Sequence, residues 1–224
     1  MDFRIEHAPV FTSLTVQLQA GESFKGEAGA MVSMSPSVEI QAKKQGKGLG
    51  GMLKAAVGGE GLFASLFTAS GGAGEVVLAP STPGDIIGFD MIGNTILAQS
   101  GAYLAGSDGL ELSTQGSFKA MISGEGLFLQ KISGNGKVFL NSFGAVFVKQ
   151  LAPGEHYILD TGHLVAFEES ASYTVKKAAK GLFSTLASGE GLVSDFVGPG
   201  KIWVQTRNLK GFAGLIASLM PKQN

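Results

Sequence analysis

Apolar and polar residues alternate over short stretches of this chain, and glycine, proline or asparagine interrupts them every few positions. The clearest stretches are GAGEVVLAP (72–80), GNGKVFLNS (134–142) and GPGKIWVQT (198–206). Each reads G-x-G-x-(V/I)-x-(V/L), the period-two pattern of a half-buried strand. Further strands are predicted at SVEIQA (37–42), GLELST (109–114) and SYTVKK (172–177). Gly-led apolar runs precede these, at 20–34, 83–106 and 153–167. Three segments fit one or two helical turns instead: GGMLKAAV (50–57), GSFKAMI (116–122) and KGLFSTLA (180–187).

These elements recur in one order, and the recurrence decides the fold. Its most visible mark is GGEGLF, SGEGLF and SGEGLV, which place Glu60, Glu125 and Glu190 at intervals of 65 residues. Short strands bounded by turn residues, without long alternating helices, predict an all-β chain of three small sandwich-like or barrel-like units. The expected boundaries are 1–82, 83–152 and 153–207, followed by a terminal segment at 208–224. A unit of about 65 residues buries little surface alone, so the three are expected to pack together about a pseudo-threefold axis.

The terminal segment breaks the β pattern. In NLKGFAGLIASLMP, Leu209, Phe212, Leu215, Ile216 and Leu219 fall at helical spacing, with Asn208 placed to cap the start and Pro221 to end it. This predicts an amphipathic helix whose apolar face meets its own core, a partner subunit or a membrane surface. The richly basic polar face of a membrane-surface helix is missing.

Composition narrows the function classes. Charged residues make up 16% of the 224, against about 25% in an ordinary soluble domain, and mean hydropathy is +0.23. That balance predicts a large buried fraction, an oligomer interface or a membrane-facing patch. The formal net charge is −1 and the arginines are Arg4 and Arg207, so a protein built to grip phosphate backbones is not expected. There is no cysteine, which removes disulfides and thiolate chemistry and suits a reducing compartment. The opening residues carry no signal-peptide pattern, and Gly48 to Phe67 is too rich in glycine and charge to span a membrane. The expected location is cytoplasmic, or peripheral to the inner membrane.

Candidate chemistry is sparse. GKGLGG (46–51) fits G-x-G-x-x-G but lacks the βαβ setting and the downstream acid of a dinucleotide site, so it reads as a Gly-rich loop. Glu155, His156, Asp160 and His163 lie close in sequence; their spacing fits a hairpin turn with surface polar residues better than a metal site. Glu60, Glu125 and Glu190 read first as solvated turn acids. Were their corners to face a common axis, three carboxylates would converge and need a cation, proton or water between them. Lys43, Lys44 and Lys47, and again Lys176, Lys177 and Lys180, lead into Gly-rich apolar segments, as solvated strand ends or as a basic rim beside an apolar patch. No catalytic residue, cofactor site or metal site is assigned.

With its blocks laid out, the chain resembles bacterial relatives of the altered-inheritance-of-mitochondria family. The GEGL copies, the G-x-G-x-V strands and the ending TRNLKGFAGLIASLMP carry the likeness, which covers nearly the whole chain. The resemblance implies a fold like the tryptophan RNA-binding attenuation protein, a short double-stranded β-helix triplicated in one chain. It supplies no catalytic residues. The expected function is a non-enzymatic oligomeric scaffold or assembly protein, acting on itself as a homo-oligomer or at a membrane surface. The alternative is a binding module of the attenuation-protein kind for a small ligand or nucleic acid.

Overall fold

Among the described residues, seven strands form along the first third of the chain because apolar side chains there alternate with polar ones between tight turns. In a computed structural model that describes residues 1–44, 63–115, 127–177 and 192–221, they are β1 (Asp2–Glu6), β2 (Ser13–Leu18), β3 (Ser23–Glu27), β4 (Met31–Met34), β5 (Glu39–Lys44), β6 (Phe63–Thr68) and β7 (Gly74–Leu78). On β2, Leu14, Val16 and Leu18 point into the core. At the β2–β3 turn, Gly21 takes φ +82°, a conformation that costs other L-residues. The Glu22 carboxylate then accepts the Gln19 backbone N–H at 2.9 Å.

Among the described residues, the middle third has four strands: β8 (Ile86–Gln99), β9 (Tyr103–Ser107), β10 (Leu110–Gln115) and β11 (Leu129–Asn141). The described part of the last third has six: β12 (Val146–Leu151), β13 (His156–Asp160), β14 (Leu164–Glu168), β15 (Ser172–Lys177), β16 (Leu192–Val197) and β17 (Gly200–Gln205). The β12–β13 turn repeats the first: Gly154 takes φ +76° and Glu155 accepts the Ala152 N–H at 2.9 Å. Strand β12 lies before the expected boundary at 152/153, yet it is hydrogen-bonded to β17.

All pairings between these described strands are antiparallel, and each of four pairings in the first third has a counterpart in the others. There, β7 pairs β2 and β4, while β6 pairs β3 and β5. In the last third, β17 pairs β12 and β14, while β16 pairs β13 and β15. In the middle third the long strands do both jobs. Residues 135–141 of β11 pair 86–92 of β8 and also β9, whereas 129–133 of β11 pair 95–99 of β8 and also β10. Even the irregularities match, since the ladder skips one residue at Val32, Leu104 and Val165.

Among the described residues, two further strand pairings join the thirds. Strand β9 lies against β3, with Ala105 opposite Gly26 and Gly106 opposite Lys25. Strand β14 lies against β8 in the same register, with Ala166 opposite Ala98 and Phe167 opposite Leu97. The result is a ten-stranded sheet, flanked by a four-stranded sheet in the order β1-β2-β7-β4 and a three-stranded one in the order β13-β16-β15. The fold is thus predominantly antiparallel β.

Among the described residues, three apolar clusters hold it together. Phe24 stacks on Phe67 at 4.9 Å in the first, Phe89 on Trp203 at 5.1 Å beside the second, and Phe167 meets Phe196 edge-on at 5.1 Å in the third. Burying each such ring contributes about 1.5–3 kcal/mol. The clusters cross the thirds: Leu104 and Ala105 of the middle third sit in the first cluster, and Val165 and Ala166 of the last third sit in the second.

The predicted C-terminal helix is present as α1 (Leu209–Leu219). The Asn208 side chain caps it by accepting the Gly211 N–H at 3.1 Å. The helical turns expected at 50–57, 116–122 and 180–187 lie outside the described residues.

Candidate functional site

Glu60, Glu125 and Glu190 lie outside the described residues, as do GKGLGG, Lys47 and Lys180. The histidine-rich stretch is described. His156 begins β13, and its Nδ1 lies 3.0 Å from the Asp195 carboxylate on the neighbouring strand. His163 ends the short 3-10 turn Thr161–His163, where its Nδ1–H donates to the Gln205 carbonyl at 2.8 Å. A carbonyl only accepts, so that contact places the His163 proton on Nδ1. The two imidazoles therefore serve separate contacts. Among the described residues, no three His, Asp or Glu side chains gather as a metal-holding group.

Asp195 is the most engaged acid in this region. The Lys176 ammonium meets it at 2.8 Å and His156 meets it on the other side. Hydrogen bonds from Lys176 first, and then from His156, hold its carboxyl below the ordinary aspartate value. Glu155 is likewise lowered, by the Ala152 backbone N–H first and then by Lys149. These groups line an outer sheet face and steady adjacent strands. Lys176 is thus a strand-surface cation with a partner.

A shallow groove of about 230 Å³ opens beside β1, lined by Phe3, Ile5, Gly88, Phe89, Lys137 and Phe139. Lys137 is its charged member, and it is paired with Asp90 at 2.8 Å. Apart from Lys137, its lining side chains are apolar, without the convergent polar groups that orient a small ligand.

The apolar surfaces are the more pronounced feature. Leu209, Phe212, Leu215, Ile216 and Leu219 all lie exposed on α1, and no residue of the helix is buried. The helix is positioned at its start. The Phe212 ring meets Phe143 edge-on at 5.4 Å, and the Asn208 amide occupies the space that a Cβ on Gly162 would need. Beyond that anchor, its apolar stripe is uncovered. A second apolar surface lies along β4, where Met31, Val32 and Met34 are exposed, and a third at Ile158 on β13. Hydropathy alone does not mark β4 as exposed, since its counterparts on β9 and β14 are also apolar runs and are buried.

The family model described as Mitochondrial biogenesis AIM24 matches residues 3–207. The chain belongs to this family. A relative in Streptococcus pyogenes serotype M6 (strain ATCC BAA-946 / MGAS10394), described as an uncharacterized protein, is 32% identical over 230 residues. The alignment covers 99% of this chain and 92% of that one. A Streptococcus pyogenes protein solved by X-ray crystallography is similar in structure, with a TM-score of 0.81 and 29% identity. That match covers 98% of this AIM24-family chain and 99% of the solved one. No helix among the described residues is long and apolar enough to cross a membrane.

Proposed function

We propose that this AIM24-family chain is a non-enzymatic, oligomeric assembly protein: three copies of one small β unit, fused into a rigid platform that presents apolar surfaces to other protein. The recurrence of four strand pairings in each third supports the reading of three short double-stranded units. The observation that carries the function is helix α1. Its five predicted interface residues are held out from the platform, although its first turn is capped and anchored.

Leaving such a stripe in water is unfavourable by roughly 25 cal/mol per Å² of apolar surface that a partner could cover. The described helix carries one charged residue, Lys210, so attraction to anionic lipid adds little. A protein surface is therefore the favoured occupant over a membrane. The test compares the wild-type chain with the double variant Leu215→Asp, Leu219→Asp by sedimentation velocity and by flotation with phosphatidylglycerol vesicles. The reading expects self-association that the variant weakens at least tenfold. A wild-type chain that is monomeric and ignores vesicles would end it, and helix-dependent flotation of a monomer would replace it with a membrane role.

A further inference from the structure

We infer that strand β4 of one molecule pairs with strand β13 of a second copy of this chain, extending head to tail the junctions that already join its thirds. This deepens the assembly reading and rests on it. The argument starts from the two internal junctions, which use one register. Where β9 meets β3, Ala105 faces Gly26 and Gly106 faces Lys25. Where β14 meets β8, Ala166 faces Ala98 and Phe167 faces Leu97.

The strand pairings within each third identify the counterparts. Strand β4 corresponds to β9 and β14, because each lies against the strand after the G-x-G turn and skips one residue at the same place. Strand β13 corresponds to β3 and to residues 95–99 of β8, because each pairs the strand before that turn. Three units in a row use two such junctions and leave one β4-type edge and one β13-type edge over. Among the described residues, no β-pairing and no apolar cluster joins the first third to the last, so the two edges do not satisfy each other within the chain.

Side-chain exposure follows the same division. Leu104 and Val165, at the skipped position, are 0% and 1% exposed because each enters the core of the neighbouring third. Val32, at the same position of β4, is 62% exposed. On the facing strands, Leu97 is 6% exposed while its counterpart Ile158 is 59% exposed. An apolar knob and the edge that would receive it are thus both left in solvent. An unpaired, apolar edge strand is a template for strand addition. The partner of matching register is the same chain, and the register places Met34 opposite Ile158 and Ser33 opposite Leu159. Such a contact joins two different surfaces, so it closes into a ring if the rotation allows and otherwise propagates.

The absence of cysteine makes the test direct. Single variants Met34→Cys and Ile158→Cys are mixed at equal concentration with copper–phenanthroline as oxidant, since facing strand positions suit a disulfide. The expected product is a covalent dimer holding one of each variant, at least tenfold above either variant alone and above a Met31→Cys control mixed with Ile158→Cys. The double variant Met34→Cys, Ile158→Cys is expected to form chains or rings of several copies. An intramolecular link in the double variant, or no link above control, overturns the inference. Repeating the cross-link in the Leu215→Asp, Leu219→Asp background separates the two readings. Loss of the edge link with helix-dependent association intact removes only the edge junction.

Discussion

Lys25 on β3 reaches across to the middle third and meets the Asp108 carboxylate at 3.2 Å, while its ammonium also donates to the Asp108 and Leu110 carbonyls. Tyr103 returns the contact by donating its hydroxyl to the Lys25 carbonyl at 3.2 Å. The next junction carries its own cross-unit pair, Lys131 with Glu169 at 2.7 Å. Side chains therefore reinforce what the strand pairing makes, and the two residues of each pair come from different thirds.

Replacing Asp108 by Ala removes the pair but leaves the carbonyl contacts of Lys25. The expected loss is under about 1 kcal/mol, as for other partly exposed ion pairs. Lys25→Ala is expected to cost more than Asp108→Ala, because its stem and all three contacts go together. Urea unfolding of both variants, at unchanged slope, checks the order.

Phe67 is fully buried and stacked on Phe24. Phe67→Ala is expected to destabilise by about 3–5 kcal/mol through lost burial and the cavity left behind. Phe67→Leu is expected to recover most of that. Chemical denaturation of both variants measures the difference.

Much of this architecture was legible in the sequence. The G-x-G-x-V blocks lie on β7, β11 and β17, the strands that lie between two partners in each third. The spacing of Leu209, Phe212, Leu215, Ile216 and Leu219 found α1, and Asn208 its cap. What the pattern could not carry was which copies of a strand are covered. Tyr103-Leu104-Ala105-Gly106 is no more apolar than Met31-Val32-Ser33-Met34, yet the first is buried and the second exposed. That difference depends on whether a neighbouring unit follows, which is a property of the topology and not of the segment. The spacing of His156 and His163 reads as a hairpin turn, and the turn is where His163 lies, after His156 on β13.

Asp195 makes stability depend on acid. Its folded value is held low by Lys176 and His156, so it contributes stability above the unfolded value, near 3.9, and loses it as pH falls through the folded value. Asp195→Asn is therefore expected to be less stable than wild type at pH 6, with the gap narrowing below pH about 4. Thermal unfolding of both proteins across pH 3–7 reads it. A gap that does not shrink in acid would assign the effect to packing.

The helix start is a small lock between two elements. Gly162 leaves room for the Asn208 amide, and Asn208 caps α1. Asn208→Ala is expected to cost about 1 kcal/mol of local stability and to fray the helix. Asn208→Asp keeps an acceptor and should preserve it. Hydrogen exchange at Gly211 and Phe212 separates the variants, with faster exchange in the alanine variant.

The central claim is that this chain assembles through surfaces its own fold leaves open. Sedimentation velocity on the untagged wild-type protein, from low to high micromolar concentration, tests it most directly. The account predicts a weight-average mass that rises with concentration above the 23.1 kDa monomer. A constant monomer mass throughout would contradict it.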